Sequence, residues 1–141
     1  MHYVLDCSVA LKWFLPELLS DEAHRLLTRF RTRTDDLLAP DLLIAEFGHN
    51  LGKRFRNNQL TSDEVREIWE DFLALGIEIV TIPAVARDAM RLSLDHMGTF
   101  YDAVYVALAR VRGCSVVTAD DHMSRAFGPL GCVISLQTLT P

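Results

Sequence analysis

Apolar residues in this chain fall into short runs separated by longer stretches of helical period. The runs at 3–6 (YVLD), 77–82 (IEIVTI), 115–119 (SVVTA) and 132–136 (CVISL) are rich in Val, Ile and Leu and read as buried strands. Residues 37–39 add a brief fifth. Ser8 is placed to cap a short helix over 9–15, which Pro16 ends. A second helix opens at Ser20 or Asp21 and runs to about Arg31. Pro40 suits the first turn of a long helix through Glu46 to about Arg56. Thr61 and Glu64 have the spacing of a capping box, and the helix they start runs to Leu75, with Gly76 as its stop. Pro83 opens a helix that Gly98 ends. The helix over 99–112 is apolar nearly all round at 103–109, which marks it as central and buried. A short helix near 122–127 precedes the last strand.

Strands alternating with helices predict an α/β domain whose largely parallel sheet is covered on both faces. The length of 141 residues fits one domain over 1–141. In such sheets the functional site lies beyond the carboxyl ends of the strands, at the point where the strand order reverses.

Composition narrows the picture without naming a function. Hydrophobic residues make up 50% and charged residues 23%, an ordinary globular balance. No apolar run approaches the roughly 18 residues of a membrane span, and no secretory signal is visible. Three scattered cysteines, Cys7, Cys114 and Cys132, form neither a disulfide framework nor a zinc motif. A cytoplasmic, reducing setting is therefore expected. The net charge is −5, which by itself disfavours nucleic acid. The bases are clustered, however: Arg25, Arg29, Arg31 and Arg33 form one group, and Lys53, Arg54 and Arg56 another. Either group reads as a solvated helix face or as a guide for a phosphate backbone.

Four acids sit where the topology rule points. Asp6 ends the first strand, Asp120 follows the SVVTA strand, Asp102 lies in the first turn of the buried helix, and Glu46 stands between apolar neighbours. Each also has a plain reading, as a helix cap, a dipole complement, a solvent-facing acid or part of a polar turn. Jointly they are harder to dismiss. Two carboxylates ~4 Å apart repel by about 4 kcal/mol at an effective dielectric of 20, so a cluster must hold protons or a cation. Oxygen ligands without His or Cys suit Mg²⁺ or Mn²⁺. A haloacid-dehalogenase-like hydrolase would need a second Asp where Ser8 stands. A receiver-type signalling domain would need an acid where Cys7 stands.

The segments V-L-D-C-S at 4–8, L-L-I-A-E-F at 42–47, Y-D-A-V-Y-V-A-L-A at 101–109 and V-V-T-A-D at 116–120 occur in that order. In this the chain resembles the PIN-domain nucleases, and among them the VapC-like toxins of toxin–antitoxin pairs. The resemblance implies a PIN-like three-layer α/β/α domain. It implies that Asp6 and Asp102 are direct Mg²⁺ ligands, that Glu46 supports the metal or its waters, and that Asp120 completes the pocket. Ser8 and Thr118 match small hydroxyl positions that hydrogen-bond within the site, and Asp121 reads as a helix cap. Cys7 departs from the pattern and reads as a buried thiol. The implied activity is metal-dependent hydrolysis of single-stranded RNA by an activated water, with Mn²⁺ as a possible substitute for Mg²⁺. The implied partners are a VapB-like antitoxin and a second copy in a homodimer, and Lys53, Arg54 and Arg56 are candidates for RNA contact. Trp13, Phe14, Leu15, Trp69 and Phe72 read either as dimer surface or as core. A PIN nuclease of RNA processing, or a PIN-fold binding module without catalysis, is the alternative.

Overall fold

A computed structural model describes residues 1–139, so the last two residues of the expected domain lie outside it. Strand β1 (His2–Leu5) is the centre of a five-stranded sheet. It pairs in parallel with β2 (Asp36–Pro40) on one side and β4 (Ser115–Thr118) on the other. Outside these lie β3 (Glu78–Val80) against β2 and β5 (Val133–Ser135) against β4, also parallel. The order is 3-2-1-4-5, so the chain winds outward in one direction and then reverses between β1 and β4. The register sets Val4 opposite Leu38 and Val116, and Leu5 opposite Val117. Val4, Leu5, Val116 and Val117 are wholly buried, as continuous apolar strands covered on both faces must be.

Seven α-helices flank the sheet among the described residues: α1 (Cys7–Ala10), α2 (Ser20–Arg31), α3 (Leu42–Arg56), α4 (Ser62–Leu73), α5 (Ala86–His96), α6 (Phe100–Arg112) and α7 (Asp121–Phe127). Helix α6 packs on β1, β2 and β4, and α5 packs on α6. Residues 103–109 of α6 are all buried, the central helix that its apolar circumference predicts. Helix α4 begins with the expected capping box. Thr61 Oγ1 accepts the Glu64 N–H at 3.1 Å, and Glu64 Oε1 accepts the Thr61 N–H at 2.9 Å.

Several boundaries differ from expectation for local reasons. Pro40 ends β2 rather than opening α3. Its register partner is Val80, and the last residue of a strand tolerates the missing N–H. Ser8 lies inside α1, and Asp6 takes the cap position in extended backbone. The expected helix over 9–15 is split into α1 and a 3₁₀ turn at Leu11–Trp13. Only three residues of each run at 77–82 and 132–136 pair as strand, and Pro83 opens a 3₁₀ turn before α5. Helix α4 stops at Leu73, before Leu75.

The aromatic residues are core. Phe47 stacks on Phe72 with ring centroids 3.9 Å apart and meets Phe14 edge-on at 5.7 Å, while Trp69 stacks on its other neighbour's flank at 6.4 Å. Trp13 and Leu15 are buried, and Trp13 Nε1 donates to Ala23 O at 2.7 Å. The three cysteines are free thiols. Asp35 is a buried acid beneath the amino end of β1; Arg29 donates to it twice, from Nε and from Nη2 at 3.1 Å.

The joint between α5 and α6 decides where α6 starts. Met97, not Gly98, takes the left-handed conformation that ends α5 (φ +55°). Gly98 serves a different need, since a Cβ there would lie 2.4 Å from Phe127 Cζ, and the Phe127 side chain is fully buried. Gly98→Ala is expected to cost about 1–3 kcal/mol, the usual range for overpacking. Urea unfolding monitored by circular dichroism checks it, and an unchanged midpoint would show that the ring moves freely.

Candidate active site

The reversal of strand order opens a crevice between the carboxyl ends of β1 and β4, where ligands bind in open parallel sheets. Asp6 follows β1 directly, and its N–H still pairs with Val117 O at 3.2 Å. Its side chain makes no cap. Instead Asp6 Oδ2 accepts the hydroxyl protons of Ser8 at 2.6 Å and Thr118 at 2.7 Å, short charge-assisted bonds. Those hydroxyls are aimed by the backbone. Ser8 Oγ accepts the Ala119 N–H at 2.9 Å, and Thr118 Oγ1 accepts the Asp120 N–H at 2.9 Å. With their lone pairs so engaged, both hydroxyls turn their protons to the carboxylate. Burial nevertheless pushes the Asp6 carboxyl up, with the nearby charge of Asp120 adding to it, and the two hydroxyls only oppose the rise.

Asp102 and Glu46 complete the set from two helices. Thr99 caps α6, its Oγ1 accepting the Asp102 N–H at 3.1 Å, which holds Asp102 in the first turn. Burial, then the charges of Asp120 and Asp6, push the Asp102 carboxyl up to about 6. Glu46 is half-buried on α3 and is also pushed up by burial. Asp6, Asp102 and Asp120 all repel it. Tyr105 opposes this, its hydroxyl donating to Glu46 Oε1 at 2.5 Å. Asp120 caps α7, with Oδ1 accepting the His122 N–H at 2.8 Å. The cap is therefore Asp120 and not Asp121, which is the exposed first residue of α7. The structure thus brings Asp6, Glu46, Asp102 and Asp120 within electrostatic reach of one another, with Ser8 and Thr118 beneath Asp6.

Among the described residues, no three His, Cys, Asp or Glu side chains already close around one point as an ion cage. The donors are nonetheless carboxylate oxygens crowded enough to hold protons. Beside Glu46 a concavity of about 350 Å³ is lined by Ala45, His49, Asn50 and Tyr101. Cys7 is buried in α1, where burial and the charges of Asp6 and Glu46 push its thiol up, so it is no nucleophile. The basic trio does not form one face. Lys53 and Arg56 are exposed, whereas Arg54 turns inward and donates to Glu17 at 2.7 Å.

Comparison with known proteins assigns the family. Residues 3–128 match the family model of the PIN domain. The chain belongs to the PIN-domain family. This PIN domain is 34% identical over 134 residues to "Ribonuclease VapC3" of Pyrobaculum aerophilum, covering 92% of this chain and 98% of that one. Among solved structures it resembles a protein of Pyrobaculum aerophilum, at TM-score 0.72 and 22% identity, over 98% of this chain and 85% of that one. It also resembles VapBC2 from Rickettsia felis, bound to a DNA fragment from their promoter, at TM-score 0.72 and 14% identity, over 96% and 98% of the two chains. At these identities the structural likenesses speak for the fold.

Sequence reasoning passed over Tyr105, which it counted only as part of an apolar helix. The signal was present: Tyr105 stands three residues after Asp102, on the same face of a helix. It also passed over Lys12 and Glu17, whose partner Arg54 is distant in sequence.

Crowded acids make this PIN domain less stable once they ionise. Asp102 binds its proton more tightly in the folded chain (about 6) than at its ordinary value of 3.8. Its stabilising contribution is therefore full below about pH 4 and is lost as pH rises through about 6. Without metal, Asp102→Asn is expected to gain roughly 1–2 kcal/mol at pH 7 and nothing at pH 4, after allowance for solvent screening. Thermal melts in EDTA at both pH values check this. A loss of stability at pH 7 would mark Asp102 as a structural acid.

Proposed function

We propose that this protein is a VapC-like ribonuclease, the toxin of a toxin–antitoxin pair, and that it hydrolyses phosphodiesters of single-stranded RNA with the help of Mg²⁺. The observation that carries the reading is the convergence of Asp6, Glu46, Asp102 and Asp120 on the crevice where strand order reverses. Relatives named for ribonuclease VapC support the activity and the toxin role. A VapB-like antitoxin is the partner this reading assigns, supported by likeness to toxin–antitoxin structures. A homodimer is the assembly it assigns.

Asp6 and Asp102 would hold the ion directly, with Glu46 and Asp120 supporting it. The absence of a preformed cage fits Mg²⁺, which is bound through one or two carboxylates and keeps its waters and substrate phosphates as further ligands. Mn²⁺ suits the same oxygen donors. A divalent cation bound there would polarise the phosphodiester and lower the pKa of an attacking water. The chain's own residues do the rest. Ser8 and Thr118 fix one oxygen of Asp6 and leave the other, Oδ1, without a protein hydrogen bond among the described contacts. Tyr105 fixes one oxygen of Glu46 in the same way. Lys53, Arg54 and Arg56 lie further along the helix that bears Glu46 and would contact RNA phosphates beside the acids.

The test is cleavage of a mixed pool of single-stranded and structured RNA in Mg²⁺, Mn²⁺ or EDTA, with Asp102→Asn prepared in parallel. Cleavage is expected with either metal, absent in EDTA and in the variant, and rising through about pH 6 as Asp102 ionises. Metal-independent cleavage, or full activity in the variant, would remove this reading. Tyr105→Phe gives an independent check. The ring stays buried while Glu46 loses its donor, so cleavage should fall about tenfold, the order of one buried hydrogen bond to a charged group. The native circular dichroism spectrum should be retained. Undiminished cleavage would leave Tyr105 a packing residue.

A further inference from the structure

Beside the acids lies a second charged cluster. Lys12, in the 3₁₀ turn after α1, donates from Nζ to Glu17 Oε2 at 3.0 Å. Arg54 donates from Nη2 to Glu17 Oε1 at 2.7 Å. One carboxylate thus bridges two cations, leaving a net charge of +1. The side chains are only 11% (Lys12) and 26% (Glu17, Arg54) exposed, so water screens this cluster far less than an ordinary surface ion pair. It adjoins the acid pocket, because the Cys7 thiol feels the charges of Asp6 and Glu46 together with those of Arg54 and Glu17. Arg54 stands about two turns beyond Glu46 on α3, ~12 Å along the helix axis.

Two converging donors that hold a carboxylate by separate oxygens will also hold a phosphate. Glu17 sits in the irregular segment between the 3₁₀ turn and α2. The two residues after it are an apolar side chain left 85% exposed, Leu18, and a leucine in left-handed backbone, Leu19 (φ +66°). Leucine disfavours that conformation, so the segment has a ready reason to relax elsewhere.

We propose that Lys12 and Arg54 form a subsite for a phosphate of the RNA strand next to the acid pocket, and that Glu17 fills this subsite in the free protein. This rests on the ribonuclease reading. Glu17 mimics the ligand, and the RNA backbone displaces it. The arrangement lowers affinity for stray anions by the fraction of molecules in which Glu17 is in place. It also keeps two poorly solvated cations compensated while no substrate is bound.

The experiment measures binding of a labelled single-stranded RNA across a salt series, with Mg²⁺ present, in an Asp102→Asn background that does not cleave. Cleavage by the otherwise unaltered protein is followed alongside. Glu17→Gln is expected to tighten binding several-fold. Arg54→Gln and Lys12→Met should each weaken it several-fold and reduce the slope of log K against log salt by about 0.7, one phosphate contact on a single strand. Arg54→Gln keeps the test sound should Lys12→Met fail to fold. If the cluster only fastens the 14–19 segment to α3, Glu17→Gln will leave binding unchanged or weaken it while lowering the melting temperature. Either result overturns the proposal, as does unaltered binding by a folded Arg54→Gln protein. If the parent cleaves RNA and these variants bind like it, the subsite alone falls. If the parent neither cleaves nor binds RNA, the ribonuclease reading falls and takes the subsite with it.

Discussion

A carboxylate taken out of water at the end of β1 is the constraint around which this domain is arranged. Asp6 is 6% exposed and has no cation beside it among the described contacts. It is tolerable there because two hydroxyls donate to it, and the hydroxyls are aimed because two consecutive backbone N–H groups after β4 donate to them. The arrangement needs the exact neighbourhood of β1 and β4 that the reversed strand order supplies. It also needs α1 to start at once, so that Ser8 turns back toward the residue two before it. Hydroxyls were required at positions 8 and 118 for geometric reasons, and Ala at either would leave a buried charge with half its support.

The charge balance follows from this. The chain carries 19 acids against 14 Lys and Arg, yet the cations lie outside the acid pocket. Arg29 is committed to Asp35, Arg112 to Glu78, and Lys12 with Arg54 to Glu17. The result is a domain whose negative potential is gathered at one edge of the sheet. Positive groups stand close by but are already paired. A hard cation is attracted to such an edge, and an RNA backbone approaching it must meet the cations first.

Much of this was legible before any coordinates. The apolar runs near 3, 115 and 132 and the all-round apolar segment 103–109 announced a covered parallel sheet and a central helix, because burial on both faces leaves no polar period. The four acids could be found from their places at strand ends and helix starts. What could not be read were features set by contacts distant in sequence. Pro40 looked like a helix opener because nothing local reveals that Val80 is its neighbour. Arg54 looked like a free base because Glu17 lies 37 residues away. The aromatic residues left core and surface open until Phe14, Phe47, Trp69 and Phe72, from three separate elements, were seen in contact.

The hydrogen bond from Thr118 to Asp6 closes a loop of 112 residues. Contacts of such long range form late, since the entropy of closing the chain must be overcome before they contribute. As the polypeptide emerges from the ribosome, its first strand is exposed long before its neighbour β4 exists. An unfinished or truncated copy lacking β4 therefore has neither the fourth acid nor the donors that hold the first in place. Whatever chemistry the crevice performs begins only when synthesis is nearly finished, so the ribosome that makes this protein is not exposed to it part-made.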